Sequence, residues 1–209
     1  MSAEKERLGI YGGAFSPIHS GHVRAANAFL SEMDLDRLLV VPTALPPHKP
    51  AIEGASVEHR IAMAKLAFCD SEAYRSGRLQ VSDFEAASGQ KSYTVYTLEH
   101  FASPYRELYL LVGTDMFLTL DKWFRTEDIF SLADIVLMRR ETDTANIPLI
   151  MAKKTEYEAK FGARVHIITE PPIVISSTEL RAELRSTADT EGYIPEAVAK
   201  YISENGLYK

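Results

Sequence analysis

Short apolar runs of strand length alternate with stretches of helical periodicity along the whole chain, and that alternation narrows the fold more than any other feature. A strand, a helix and a second strand pack together as a parallel βαβ unit, so repeated alternation predicts one mostly parallel sheet with helices on both faces. Strands are expected over residues 8–11, 38–42, 79–84, 108–112, 135–138 and 165–168, several of them continuously apolar as burial on both faces requires. Helices are expected over 23–33, 57–68, 94–101, 126–132, 147–161, 178–184 and 195–203, with Pro195 suited to a first turn and Gly206 to a stop. The fold class is therefore α/β, a Rossmann-like doubly wound sheet, expected as a single domain over residues 1–209.

Composition restricts the partners. Twenty-nine acidic against 23 basic residues give a net charge of -6, which leaves no broad basic field for polymeric nucleic acid or an anionic membrane, though a few local cations suffice for a small anion. The longest apolar runs, such as 108–112, are strand-sized and too short to span a bilayer. A single cysteine, Cys69, expected to be packed, excludes an intramolecular disulfide framework, and with no signal-like segment after the charged start the reading is a cytoplasmic protein. Residues 42–50 carry four prolines and predict a stiff extended loop, whereas 85–92 and 189–193 read as exposed loops. A homo-oligomer is compatible with the sequence, which does not decide the oligomeric state.

The first predicted strand runs into Gly12, Gly13, Ala14, Phe15, Ser16, Pro17, Ile18, His19, Ser20, Gly21 and His22, after which a helix begins. In an open α/β sheet ligands bind beyond the carboxyl ends of the strands, where a glycine pair lets backbone approach a nucleotide. The next helix adds free N–H groups and a positive dipole end, both favouring phosphate. His19 and His22 are three apart, so on one first turn they share a face. The string is neither a GxGxxG fingerprint nor a Walker A loop, and the two histidines lack a third ligand at zinc-site spacing. Later, Ile175, Ser176, Ser177, Thr178, Glu179, Leu180 and Arg181 follow the last predicted strand. Ser176 and Glu179 have capping-box separation; the same hydroxyls and N–H groups, with Arg181 one turn in, also suit the outer phosphates of a nucleoside triphosphate.

These two strings resemble the (H/T)xGH and ISSTxxR motifs of the nucleotidyltransferase α/β-phosphodiesterase superfamily. Within it, Pro46, Pro47, His48 and Lys49 resemble the PPHK element of bacterial nicotinate-nucleotide adenylyltransferases. Arg60 with Met63, Ser92-Tyr93-Thr94, Gly113-Thr114-Asp115 and Trp123 fall in that family's order, so the resemblance covers essentially the whole chain. Ser16 stands where the family more often has Asp or Asn, and its hydroxyl can still brace the glycine loop.

The resemblance implies adenylyl transfer from ATP to nicotinate mononucleotide, giving deamido-NAD and pyrophosphate. It implies His19, His22 and Arg181 as catalytic groups, and an ATP site formed by Gly12, Gly13, Ala14, Phe15, His19, His22, Gly113, Asp115, Ser176, Ser177, Thr178 and Arg181. The mononucleotide would meet His48, Lys49, Tyr93, Thr94 and Trp123, and Mg2+ would arrive on the ATP phosphates with no dedicated protein cage. Nicotinamide mononucleotide or phosphopantetheine as acceptor, or a non-catalytic nucleotide sensor, are the alternatives. Trp123 has packing against Phe117 and Phe124 as its simpler role, Asp115 a helix cap, and Arg60 a solvated or ion-paired position on its helix.

Overall fold

The continuous apolar runs become strands covered on both faces, because residues two apart in a strand point the same way. The structure is a computed structural model that describes residues 4–47, 52, 54–139, 144–171, 175–186 and 192–209. Strands β1 (Glu6–Gly13), β2 (Arg37–Pro42), β3 (Leu79–Val81), β4 (Arg106–Gly113), β5 (Ala133–Met138) and β6 (Val165–Ile167) form one sheet in the order β3-β2-β1-β4-β5-β6. Every pairing in it is parallel. The helices of the described residues are α1 (Ser20–Glu32), α2 (Val57–Phe68), α3 (Glu72–Arg75), α4 (Phe84–Ser88), α5 (Thr94–Phe101), α6 (Thr114–Phe117), α7 (Thr126–Leu132), α8 (Ile147–Phe161), α9 (Ser177–Arg185) and α10 (Glu196–Glu204). None of them is long and apolar enough to cross a membrane.

Period two splits the core. Leu38 and Val40 of β2, with Leu111 of β4 and Val136 of β5, face a cluster that takes in Phe29 of α1, Met63 and Phe68 of α2, Leu180 of α9 and Val198 of α10. Their neighbours Leu39, Val41, Leu110 and Ile135 face the other cluster, with Val95 and Leu98 of α5, Ile129 of α7 and Tyr157 of α8. Phe29 is fully buried, and burial of a side chain this size contributes roughly 1.5–3 kcal/mol. It sits so close to β1 that a Cβ on Gly9 would lie 2.9 Å from its ring and 2.5 Å from Leu35. Glycine at this strand position is what lets α1 lie down on β1 and begin directly above the end of that strand.

Three departures from expectation have local causes. The third strand stops at Val81, not at 84, because the Phe84 N–H bonds the Ser82 hydroxyl (3.2 Å) and α4 starts there. Residues 85–92 are then not simply an exposed loop: Glu85 is buried, and its carboxylate accepts the Thr97 hydroxyl (3.0 Å) and the Ala44 N–H (3.3 Å). Cys69 caps the end of α2 and is only partly buried. On the other face of the sheet, the buried Tyr157 hydroxyl donates to the Phe117 carbonyl (2.8 Å) and anchors α6, the helix that follows β4. Burial, with Asp121 beside the hydroxyl, pushes that phenol pKa up to about 12.

Candidate active site

The chain runs outward from β1 to β2 and β3 on one side, then returns to place β4 against the other side of β1. The carboxyl ends of β1 and β4 therefore flank the switch point of the sheet, and in open α/β folds the loops that part at such a point form the ligand crevice. Gly12 and Gly13 end β1 on one wall; Gly113 ends β4 on the other, with Thr114 buried and Asp115 exposed in the first turn of α6. Gly113 is the N-cap there, so Asp115 does not cap the helix.

Between Gly13 and α1 the loop is held by its carbonyl groups. The Gly13 oxygen accepts the Thr43 N–H, the Ala14 oxygen accepts Arg60 Nη1, and the Ser16 oxygen accepts Arg181 Nη1, each at 2.8 Å. The Pro17 oxygen accepts the Ser177 hydroxyl at 3.3 Å. With the acceptors turned into the protein, the amides of Ala14 and Phe15 have no protein acceptor among the described residues. Phe15 adopts a left-handed φ of 46°, unfavourable by roughly 1–2 kcal/mol for a residue with a Cβ. Its buried ring fits edge-on against Tyr11 and His22, at centroid distances of 5.3 and 5.1 Å.

Helix α1 begins at Ser20, earlier than the periodicity at 23–33 suggests, so His19 becomes its N-cap and His22 lies in its first turn. The two rings lie face to face at a tilt of 31° with centroids 3.7 Å apart, and both side chains are buried. His22 Nδ1 accepts the His19 backbone N–H at 3.2 Å, which puts the ring proton of the neutral form on Nε2. That assignment leaves His22 with a donor on the atom away from its own backbone.

The later motif arrives at the same loop across 160 and 165 positions of sequence, through Ser177 and Arg181. Ser176 is the N-cap of α9, its hydroxyl accepting the Thr178 N–H (3.2 Å); the reciprocal Glu179 half of a capping box is not formed among the described residues. Arg181 Nη2 donates to the Thr178 hydroxyl at 3.2 Å. A guanidinium has five N–H groups, so these bonds leave others free for an anion.

At the side of the crevice, the stem of the proline loop is pinned to the start of α5. Ser92 Oγ accepts the N–H groups of Ala44 (3.1 Å) and Leu45 (3.0 Å), and the Ser92 N–H returns a bond to the Leu45 carbonyl (2.8 Å). His48 and Lys49, expected to meet the mononucleotide, lie outside the described residues. Tyr93 is the N-cap of α5, with Thr94 the first helical residue, and the Tyr93 ring lies 4.5 Å from that of Phe124. Trp123 is half-buried against the core cluster that includes Phe117, which leaves part of its ring accessible.

One residue contradicts its sequence reading. Arg60 is not solvated but 2% exposed, with its guanidinium under the loop, and among the described residues it has no ion-pair partner and its Nε no hydrogen-bond partner. The signal was available, because positions 60, 63, 64 and 68 form one buried stripe at helical spacing and put a charge among apolar residues. Tyr208, also buried, has its hydroxyl 3.1 Å from Ser16 Oγ, and nothing local in the sequence marks it. Arg139, at the carboxyl end of β5, carries a buried Nη1 without a partner among the described residues.

The model of the cytidylyltransferase-like family matches residues 10–183, a stretch that contains both motif loops and the strands between them. The chain belongs to that family. Curated relatives narrow the membership to the nicotinate-nucleotide adenylyltransferases. A protein of Caldicellulosiruptor saccharolyticus named "Probable nicotinate-nucleotide adenylyltransferase" is 34% identical over 203 residues, covering 97% of this chain and 99% of the relative. One of the same name from Desulfatibacillum aliphaticivorans is 35% identical over 220 residues, covering 97% and 99%. Among solved structures, the Plasmodium falciparum nicotinic acid mononucleotide adenylyltransferase complexed with NaAD shares the fold at a TM-score of 0.77 and 21% identity, with 97% of each chain covered. Like other members of the family, the chain is a nucleotidyltransferase.

Proposed function

We propose that the chain transfers the adenylyl group of ATP to nicotinate mononucleotide, as the names of its relatives state for those proteins. The observation that carries the residue roles is the meeting of Arg181 and Ser177 with the carbonyls of Ser16 and Pro17, which makes the two motifs one surface. The 5′-phosphate of the mononucleotide attacks the α-phosphorus of ATP, the α–β P–O bond breaks, and pyrophosphate leaves with that oxygen. The nucleophile is already an anion, so no general base is needed; the site acts by aligning two anions and neutralising the charge that develops between them.

Gly12, Gly13, Ala14 and Phe15 offer backbone against the phosphates, and His19 and His22 face the α-phosphate, with His22 Nε2–H as the donor to its oxygen in the transition state. Ser176, Ser177, Thr178 and the remaining N–H groups of Arg181 take the outer phosphates, and Gly113 with Asp115 meets a ribose. These donors are amides, imidazoles, hydroxyls and a guanidinium, which suit phosphate oxygens; among the described residues no group of three or more His, Cys, Asp or Glu is placed to hold a metal ion. Such a site fits Mg2+ that enters on ATP, and the ion then supplies charge neutralisation on the phosphates. On the mononucleotide side, His48 and Lys49 take its phosphate and Trp123 stacks on the pyridine ring; the carboxylate falls to the Thr94 amide, because the Tyr93 N–H, expected to share that role, donates to the Lys91 carbonyl (2.8 Å).

Pyrophosphate release with ATP and Mg2+, run in parallel with nicotinate mononucleotide, nicotinamide mononucleotide and phosphopantetheine, tests this reading. Fastest turnover with nicotinate mononucleotide, with deamido-NAD identified by chromatography, is the expected result. Faster turnover with either other acceptor, or none with any despite calorimetric ATP binding, would overturn it. Trp123→Ala is expected to raise the Michaelis constant for the mononucleotide about tenfold, the loss of a stacking contact of roughly 1.4 kcal/mol, with that for ATP unchanged. A change confined to ATP would remove Trp123 from the pyridine site.

A further inference from the structure

Tyr208, in the segment after α10, has no place in either motif, yet it is buried directly beneath the loop that follows β1. Its hydroxyl meets Ser16 Oγ across 192 positions of sequence, in a bond that is itself buried. Two backbone features put the ring there. Tyr208 has a left-handed φ of 64°, and it lies against Gly54, whose φ is 89° and where a Cβ would come within 2.3 Å of the ring. Side chains rarely adopt either conformation, and a Cβ at Gly54 would displace the ring, so the fit is specific to this pair. Helix α10 secures the other end of the segment through Val198 and Ile202 in the core shared with α2.

The consequence falls on Ser16. Its carbonyl is held by Arg181 and its side chain by Tyr208, immediately after Phe15 in its unfavourable left-handed conformation. A strained residue persists only where its surroundings over-determine it, and Ser16 is the next residue through which they can do so. Arg60 holds the residue before, through the Ala14 carbonyl. Burial raises the Tyr208 phenol above its ordinary pKa, so the hydroxyl stays intact as a hydrogen-bonding group.

We propose that Tyr208 is a positioning residue for adenylyl transfer: its hydroxyl, acting through Ser16, holds the amides of Ala14 and Phe15 and the His19–His22 pair in register with the ATP phosphates. Tyr208 touches no substrate in this arrangement. The proposal rests on the reading that this loop is where ATP binds.

Tyr208→Phe keeps the ring on Gly54 and removes one oxygen. The expected kcat is about tenfold lower, with the Michaelis constant for the mononucleotide within twofold of the wild type and circular dichroism unchanged. Ser16→Ala removes the other half of the bond and is expected to cost at least that factor. The double variant should fall no further than Ser16→Ala alone, because without the Ser16 hydroxyl the Tyr208 hydroxyl has lost the group through which it acts. A merely structural tyrosine would lower the melting temperature without this coupling in kcat. A Tyr208→Phe enzyme within twofold of wild-type kcat, or losses that multiply in the double variant, would overturn the proposal while wild-type turnover left the reaction standing. Absence of deamido-NAD from the wild type itself would overturn both.

Discussion

His22→Ala is expected to lower kcat by about three orders of magnitude while the dissociation constant for ATP changes only a few-fold. The reason is the timing of the charge. Negative charge on the α-phosphate oxygens grows as the incoming phosphate attacks, and a donor aimed at that oxygen stabilises the transition state more than bound ATP. Removal of one such preorganised donor costs roughly 10²–10³ in turnover in other enzymes, or about 3–4 kcal/mol. His22 is preorganised to that degree: Nδ1 is occupied by the His19 N–H, and the ring is held between His19 and the edge contact with Phe15. Single-turnover kinetics with calorimetry of a non-hydrolysable ATP analogue separates the two quantities. Near-normal turnover would remove His22 from the reaction, and a large loss of ATP affinity with kcat preserved would assign it to ground-state binding.

Arg60→Ala is expected to destabilise the protein by about 3 kcal/mol, lowering the melting temperature by roughly 6–12 °C, and to reduce kcat as well. Three effects combine. A cavity opens where a fully buried side chain stood, the Ala14 carbonyl loses its partner, and the cost of burying a cation is relieved. The first two each amount to a few kcal/mol, and the third offsets them only in part because this guanidinium is incompletely bonded. Arg60→Met refills much of the volume without the bond to Ala14, so it should recover much of the melting temperature and little of the turnover. A melting temperature within about 2 °C of wild type for Arg60→Ala would show that the arginine contributes nothing net to the fold.

Arg60 also shows where reading along the chain stops working. Its helix is predicted at its observed bounds, Val57–Phe68, yet the same periodicity reads the residue as solvated or ion-paired. Helical periodicity says which residues share a stripe; what covers the stripe is set by elements distant in sequence. The same holds for residues 85–92, read as an exposed loop because they are polar and contain Gly89, whereas the Glu85 carboxylate is buried against Thr97 and the stem of the proline loop. Polar composition predicts exposure only where no partner waits inside.

The sequence alone determined the parallel α/β sheet and the position of the first motif loop just beyond the carboxyl end of β1, since both follow from local periodicity. The two motif strings were legible for the same reason: each is a contiguous strand-to-helix turn whose glycines, histidines and hydroxyls carry their chemistry locally. Only the tertiary structure decided how the first loop is held. Its carbonyls and its serine are bonded by Arg60, Arg181, Ser177 and Tyr208, which come from 46 to 192 positions away. Hydrogen bonds over such separations leave no period in the sequence, because they form only after α2, α9 and α10 have packed against the same face of the sheet.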